Sequence, residues 1–259
     1  MPPILGNRIV AAHLFWERTL ATPEPDAFYP RIIGQKIREI GRRGKFLLMR
    51  LSKDWLIFHL RMSGDLLVEP LAAPMAPHHR LVLDLDDELR LAFNDTRKFG
   101  RAWLVYDPQS VLQGLGPEPL SPEFTPTDLY QRLHERRRQL KPLLLDQTFL
   151  AGMGNIYTDE ALHRARLHPL TLSENVTPEE AERLWRAIRE VLQRGIRLQG
   201  ASIDWAYRGG GFQETFSAYH QAGNPCPVCG TPIEKIVVGQ RSTHFCPVCQ
   251  PPPITSEGE

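Results

Sequence analysis

The chain has 259 residues, and its 31 lysines and arginines are balanced by 30 aspartates and glutamates, which leaves a formal net charge of +1. This length allows one large domain or two modest ones with ample core, and the charge excludes a uniformly basic nucleic-acid binder. Because no apolar run reaches the length of a membrane span and no secretion leader is recognisable, the sequence predicts a cytoplasmic protein without a transmembrane helix.

Basic residues are nevertheless concentrated locally. Residues 31–50 carry seven lysines and arginines against the single acid Glu39, and residues 136–138 form a second basic run with Lys141. Such segregation suits a binding face for a polyanion on a near-neutral protein, although a charge run is more often an ordinary solvated surface.

The first half of the chain predicts β-strands. Short apolar segments are separated by polar or glycine-bearing turns at Phe46–Leu51, Trp55–Leu60, Leu66–Glu69, Leu81–Leu85, Leu89–Phe93 and Ala102–Tyr106. Short strands at close spacing, without helices between them, favour an antiparallel sandwich or barrel. We therefore predict a β-sandwich domain over residues 1–107. The following residues 108–127, rich in proline and holding Gly114 and Gly116, are predicted to be a linker.

The second half predicts helices, so the fold class is α+β with two domains. Residues 128–145 have helical periodicity, and Thr177-Pro178-Glu179-Glu180 is a capping box with proline at the first helical position. Between them, Gly152 and Gly154 precede Asn155, which is predicted to open a helix whose exposed amides could receive a phosphate. We therefore predict a helical domain over residues 128–222.

All four cysteines of the chain lie in two Cys-x-x-Cys pairs, Cys226 with Cys229 and Cys246 with Cys249. Sixteen residues separate the pairs, which is the spacing of a Cys₄ zinc site. A disulfide framework is the competing interpretation, and the lack of a secretion signal disfavours it. We predict one structural zinc ion at the base of a hairpin over residues 223–250.

The residues between the cysteine pairs predict strand, polar turn and strand, with the turn at residues 239–243. This places Arg241 near a fixed tip, where it could enter a groove of a polyanion, although it could equally be a solvated turn residue. The tail, residues 251–259, is predicted to be disordered.

Six motifs, in order along nearly the whole chain, resemble the formamidopyrimidine-DNA glycosylase / endonuclease VIII family. The motifs are Arg42-Arg43-Gly44-Lys45-Phe46, His59-Leu60-Arg61-Met62-Ser63-Gly64, Asn94-Asp95-Thr96-Arg97-Lys98-Phe99-Gly100, Leu115-Gly116-Pro117-Glu118-Pro119-Leu120, Gly152-Met153-Gly154-Asn155-Ile156-Tyr157 and the cysteine hairpin with Gln240-Arg241. The resemblance implies a β-sandwich domain, a helix-two-turn-helix domain and a zinc finger.

The family excises oxidised bases such as 8-oxoguanine and formamidopyrimidines and then nicks the abasic site, so the resemblance implies double-stranded damaged DNA as the partner. We expect a monomer, because a clamp that encloses one duplex is usually monomeric, and we expect it to associate with the nucleoid. The base must be flipped out of the stack, and Met62, Arg97 and Phe99 match the trio that fills the void. Judged alone, Met62 and Phe99 would be interpreted as core residues.

Further roles are implied residue by residue. Lys98, Asn155, Arg137 and Arg241 match phosphate contacts. Lys45 matches the lysine that assists strand cleavage, and Arg241 matches the arginine of the later elimination step. The segment 206–213 resembles the mobile loop that covers the extruded base.

One departure concerns the nucleophile. The family opens with proline and glutamate, and the proline amine attacks the sugar. Aligned on Leu5-Gly6, this sequence starts after the family's first helix, and no glutamate accompanies Pro2. Three explanations are open: a start assigned too late, a catalytically silent damaged-DNA binder, or an unusual path for Pro2 to the site. An RNA- or protein-binding zinc module is a further alternative, which would leave Met62, Arg97 and Phe99 unexplained.

Overall fold

The structure is a computed structural model that describes residues 4–202 and 209–253. The chain clusters into two compact units that divide between Gln113 and Gly114. This division lies inside the segment predicted as a linker, where a short helix α2 (Gln109–Leu112) also forms. No helix in the described ranges is long and apolar enough to cross a membrane.

The first unit consists of two β-sheets. Its strands are β1 (Ile9–Leu14), β2 (Leu20–Thr22), β3 (Glu39–Arg43), β4 (Phe46–Arg50), β5 (Trp55–His59), β6 (Gly64–Pro70), β7 (His79–Leu85), β8 (Leu89–Asp95) and β9 (Arg101–Val105), with helix α1 (Pro25–Ile32) between β2 and β3. One sheet has the order β1-β7-β8-β6 and the other β2-β9-β5-β4-β3. All pairs are antiparallel except β2 with β9.

The core of this unit lies between the two sheets. Leu91 and Phe93 of β8 share one buried cluster with Leu56 and Phe58 of β5, in the other sheet. The predicted antiparallel sandwich is therefore confirmed, and its six predicted strands coincide with β4 to β9 within two residues at each end. The strands β1 to β3 and helix α1 were not predicted.

The second unit is helical and carries the cysteine hairpin. It contains α3 (Pro126–His134), α4 (Leu140–Leu145), α5 (Asn155–Ala165), α6 (Pro178–Arg197), β10 (Glu234–Val238) and β11 (Arg241–Phe245), with short 3₁₀ turns at Glu17–Thr19 in the first unit and at Ser173–Asn175 and Phe212–Thr215 here. The capping box at Thr177 forms as predicted: its side chain accepts from the Glu180 amide, and the Glu180 carboxylate accepts from the Thr177 amide.

The expectation of one helix over residues 128–145 is wrong, because α3 and α4 are separate. Pro142 explains the break: inside a continuous helix it would remove a hydrogen bond and clash with a preceding carbonyl, whereas in the first turn of α4 its missing donor is not needed. The intervening backbone bonds elsewhere, since the Ser173 amide donates to the Arg138 carbonyl at 2.9 Å and the Leu140 amide donates to the Thr171 carbonyl at 2.9 Å.

Candidate nucleic-acid interface and metal centre

The four cysteine sulfurs lie together and are not joined as disulfides. Their Sγ atoms all lie within 4.8 Å of one another, with Cys229 to Cys246 at 3.4 Å and Cys226 to Cys249 at 3.9 Å. Four sulfurs held at about 2.3 Å from one tetrahedral Zn²⁺ would be about 3.8 Å apart, whereas a disulfide needs about 2.0 Å. The cluster fits one structural zinc ion, and its closed ligand set leaves no position for a substrate.

The hairpin above this centre has a tight turn. β10 and β11 pair antiparallel, and only Gly239 and Gln240 connect them, with φ of +54° and +62°. Positive φ at both central residues is the requirement of a type I′ turn. The turn is therefore shorter than the predicted 239–243, and Arg241 is the exposed first residue of β11, paired with Val238, rather than a turn residue.

Helix α5 holds the hairpin through one polar face. The Asn155 side chain donates from Nδ2 to the Ser242 carbonyl at 3.0 Å, and Asp159 Oδ2 accepts from the His244 amide at 3.0 Å. One turn further on, His163 Nε2 lies 3.3 Å from Cys226 Sγ. Residues four apart lie on the same side of a helix, so this face fixes both the finger strand and one metal ligand.

Lys141 lies behind this face and is not part of a solvated basic run. Its side chain is fully buried and ion-pairs with Asp159, and it also approaches the Asn155 carbonyl. Burial lowers the pKa of Lys141, Asp159 opposes that shift, and the charge of Arg241 adds to it. The sequence pattern missed this pair, because its two members are 18 residues apart in the chain.

In the first unit, Met62 and Phe99 project into solvent. Met62 is 61% exposed and Phe99 is 49% exposed, so the interpretation of both as core residues is excluded. The Arg97 guanidinium lies 5.0 Å from the centroid of the Phe99 ring, and Lys98 Nζ lies 4.1 Å from the Trp16 ring. The structure thus places a guanidinium and two large apolar side chains on one exposed edge of the sandwich.

These side chains are carried by two adjoining loops. The 60–63 loop runs from β5 in one sheet to β6 in the other, and the 96–100 loop returns from β8 to β9. Each contains one non-glycine residue in the left-handed region, Arg61 at φ +59° and Lys98 at φ +61°. Such backbone conformations persist only where the surroundings fix them, and they are frequent at functional sites.

Lys45 occupies a two-residue turn with Gly44, between β3 and β4. Its side chain is exposed, and the neighbouring Phe46 ring packs edge-on against His59 at 4.8 Å. Burial, together with the charges of Arg61 and Lys45, lowers the pKa of His59 to about 4. The charge of Lys45 therefore acts on His59, the last residue of β5, directly before the 60–63 loop.

The remaining predicted residues are placed as follows. Arg137 is exposed and pairs with Glu174 at 2.9 Å. Pro2 lies outside the described residues, and so do residues 206–208 of the predicted covering loop. In the described part of that loop, the Gln213 side chain accepts from the Ser202 amide at 2.8 Å and donates to the Gly210 carbonyl at 2.8 Å.

Three protein families match the chain in succession. Residues 1–102 match the formamidopyrimidine-DNA glycosylase N-terminal domain, residues 115–206 match the formamidopyrimidine-DNA glycosylase H2TH domain, and residues 223–252 match a zinc finger found in FPG and IleRS. The zinc-finger match supports the metal assignment made from the sulfur geometry.

Individual relatives extend this likeness over nearly the whole sequence. The chain is 50% identical to a formamidopyrimidine-DNA glycosylase of Chloroflexus aurantiacus, covering 96% of this chain and 92% of that protein. It is 41% identical to that of Geobacillus kaustophilus, covering 96% and 94%. It is also similar to Lactococcus lactis Fpg solved with abasic-site DNA, at 34% identity and a TM-score of 0.90, covering 96% of this chain and 94% of that chain. A MutM structure with DNA containing carbocyclic 8-oxo-G matches equally well, at 34% identity and a TM-score of 0.90.

Proposed function

This chain belongs to the formamidopyrimidine-DNA glycosylase family, a family of base-excision-repair enzymes, and from that premise we propose that it removes oxidised purines from duplex DNA and cleaves the abasic site that remains. The purines proposed are 8-oxoguanine and formamidopyrimidines. The observation that carries the proposal is the exposure of Met62 and Phe99 beside Arg97, since a soluble domain gains nothing in stability from leaving two such side chains in water.

The chemistry of base removal explains why these residue types are needed. An enzyme that acts on a stacked base must extrude it, which costs a few kcal/mol of stacking and pairing. Met62 offers a flexible apolar side chain to fill the vacated space, and Phe99 offers a wedge against the neighbouring base step. Arg97 offers planar hydrogen-bond donors to the base left without a partner.

Backbone contacts are proposed for four further residues. Lys98 flanks the wedge in the first unit, and in the second unit Asn155 begins a helix whose N-terminus favours an anion. Arg241 stands exposed at the end of the hairpin, and Arg137 stands exposed between α3 and α4. Contacts of this kind position the protein on DNA without reading its sequence and make the affinity depend on salt.

Two residues are proposed to act on the abasic site. Lys45, exposed on its turn beside Gly44, is assigned to strand cleavage near the sugar, and Arg241 is assigned to the later elimination. Zinc takes no part in either step, because all four of its ligands are protein sulfurs and its role is to hold the hairpin that carries Arg241.

A catalytically silent damaged-DNA binder is the second candidate. The observation that favours it is that the exposed Met62, Arg97 and Phe99 would serve a binder that performs no chemistry equally well. Both candidates predict salt-dependent DNA binding, so affinity alone does not separate them.

Borohydride trapping on a duplex with a single abasic site separates the two candidates. If the 259-residue chain supplies an amine to the sugar, reduction links protein and DNA covalently, and peptide mapping of the adduct identifies the amine as Pro2 or a lysine. An adduct on the abasic duplex but not on the undamaged duplex supports the enzyme. Damage-selective binding without an adduct, both in this chain and in a version extended upstream, supports the silent binder.

A second assay tests the substrate class and the stoichiometry. Single-turnover excision is measured on matched duplexes that contain 8-oxoguanine, a formamidopyrimidine or undamaged guanine. The proposal predicts release of the first two bases and not of guanine. We further propose that the protein acts on nucleoid DNA as a monomer, so light scattering of the complex should give one protein per duplex.

A further inference from the structure

The two loops that carry Met62, Arg97 and Phe99 are joined by one buried carboxylate. Asp95, the last residue of β8, is 1% exposed, and it lies opposite Gly64, the first residue of β6. Its Oδ1 accepts from the Ser63 hydroxyl and, at 3.2 Å, from the Arg97 amide, and its Oδ2 accepts from the Gly100 amide at 2.7 Å. An ionised carboxylate only accepts hydrogen bonds, so a single side chain satisfies donors from both loops.

Ser63 is the only residue of the 60–63 loop, among the described contacts, that reaches this carboxylate. Its hydroxyl donates to Asp95 and at the same time accepts from the Arg97 amide at 3.1 Å. Met62 is the immediate neighbour of Ser63, and Arg97 is two residues before Phe99. The hydroxyl therefore connects the backbone next to Met62 with the backbone of Arg97 itself.

The residues that flank this hydrogen-bonded connection are closely packed. A Cβ on Gly64 would lie 2.3 Å from the Leu60 carbonyl oxygen and 2.9 Å from the Phe93 ring, and a Cβ on Gly100 would lie 2.3 Å from the same ring. Phe93 in turn packs edge-on against Phe58, with ring centroids 5.3 Å apart. The Asp95 backbone is fixed as well, because its carbonyl accepts from Arg80 Nε at 2.7 Å. The loops cannot slide relative to each other without breaking this packing.

We propose that Asp95, acting through the Ser63 hydroxyl, is the positioning residue that makes Met62 and the Arg97–Phe99 pair enter DNA as one unit. The inference rests on the proposed function, because it concerns how that function's void-filling residues are held. Neither Asp95 nor Ser63 needs to touch the DNA. Their role is to fix the distance between the two loops before binding, so that ordering them costs no entropy in the complex.

The test is a double-mutant cycle that does not require catalysis. Binding is measured on a duplex that contains a tetrahydrofuran abasic analogue opposite 2-aminopurine and on the undamaged duplex, and the ratio of the two affinities is the readout. Met62→Ala, Arg97→Ala and their combination are compared in the wild-type background, in Ser63→Ala and in Asp95→Asn. Ser110→Ala is the matched control, since its exposed hydroxyl also donates one hydrogen bond, to the Asp107 carbonyl at 2.6 Å.

The inference predicts that Met62 and Arg97 are coupled in the wild type and in Ser110→Ala, with a departure from additivity of about fivefold in the affinity ratio. In Ser63→Ala and Asp95→Asn this coupling should disappear. The change in 2-aminopurine fluorescence caused by Met62→Ala should then be the same whether or not Arg97 is also replaced. If Asp95→Asn does not fold, the milder Ser63→Ala decides the outcome alone.

Two other results would overturn the inference in distinguishable ways. If the wild type prefers the abasic analogue but the coupling survives in Ser63→Ala, the proposed function stands and the positioning role is refuted. If the wild type does not distinguish the two duplexes, the proposed function fails and the inference fails with it.

Discussion

The two units of this protein hold the side chains that we propose contact DNA by different means. In the first unit, Asp95 holds the loops of Met62, Arg97 and Phe99 by hydrogen bonds at the edge of a sandwich with an extensive buried core. In the second unit, Arg241 stands on a two-stranded hairpin that is held by four cysteines and by the polar face of α5.

The difference follows from how much apolar surface each element can bury. An isolated two-stranded hairpin is marginally stable, and the hairpin's own buried cluster, among the described residues, consists of Cys226, Ile233 and Cys246. A metal is the usual remedy when a segment is too small for a core of its own. Where a sandwich already supplies rigidity, one carboxylate suffices to align the loops.

The largest expected effect is the loss of the folded hairpin when its metal site is removed. Cys246→Ser, or zinc removal by a chelator, should release the hairpin, because structural zinc contributes about 10 kcal/mol of folding free energy in small zinc domains. Zinc content by mass spectrometry should fall from one ion per chain to none, with loss of amide protection in β10 and β11. Protection in β5 and β8 should persist. If those strands also exchange, the two anchoring schemes are not independent.

Removing Asp159 should have the next largest effect, and it is confined to the second unit. Asp159→Asn leaves Lys141 buried without its carboxylate, which costs about 3–5 kcal/mol in comparable cases. Glu182→Gln is the matched control, since Glu182 pairs with Arg186 on the exposed surface of α6, where such a pair contributes about 0.3–0.5 kcal/mol. Urea unfolding of the two variants measures the difference, and equal midpoints would contradict the buried role of Lys141.

How much of this could be predicted depended on the range of the interactions. Sulfur ligands are specified by local spacing, so Cys226, Cys229, Cys246 and Cys249 predicted the zinc site from the sequence alone. The strands β4 to β9 were equally visible, because each is a short apolar run bounded by turns. The break between α3 and α4 was missed, although Pro142 signalled it.

The polar anchors could not be predicted in the same way. Lys141 and Asp159 are 18 residues apart, and Ser63 and Asp95 are 32 apart, so no periodicity connects them. The sequence alone does not distinguish a solvated lysine in a basic run from a lysine that is buried and paired. The exposure of Met62 and Phe99 was also invisible, because large apolar residues usually predict core. Residue type identifies candidates, and only packing decides which of them are buried.

The stability of the first unit should depend on pH through His59, which directly precedes the 60–63 loop. His59 Nδ1 accepts from the Arg61 amide at 3.1 Å, which the neutral imidazole allows and a protonated one does not. Because the pKa of His59 is about 4 in the folded protein and 6.5 normally, the unfolded chain binds the proton first as pH falls. The stabilisation is therefore complete above pH 6.5 and is lost as pH falls to about 4. With allowance for the partial exposure of His59, it amounts to about 1–2 kcal/mol.

A local measurement is needed to see this effect, since burial also lowers the pKa of His163 and of His168 in the second unit. The amide protection factors of β5 and of residues 61–63, which correct for the slower intrinsic exchange at low pH, should fall between pH 6.5 and pH 4. His59→Asn, which keeps an acceptor without the titration, should remove most of that dependence. His134→Asn, which alters an exposed imidazole in the second unit, should leave it unchanged. A pH response that is the same in His59→Asn would exclude His59 as its source.

The smallest effect concerns Arg137, whose charge already has a partner in Glu174. Exposed pairs of this kind contribute about 0–1 kcal/mol, so Arg137→Ala should hardly change stability.

Each phosphate contact contributes about 0.9 to the slope of log affinity against log salt, and Arg241→Ala should reduce that slope by about this amount. Arg137→Ala should reduce it less, because Glu174 competes with the phosphate. Glu174→Gln removes the competitor and should steepen the slope in the wild-type background but not in Arg137→Ala. If Arg137→Ala flattens the slope as much as Arg241→Ala, Glu174 releases the guanidinium on binding, and Arg137 acts as a full phosphate contact.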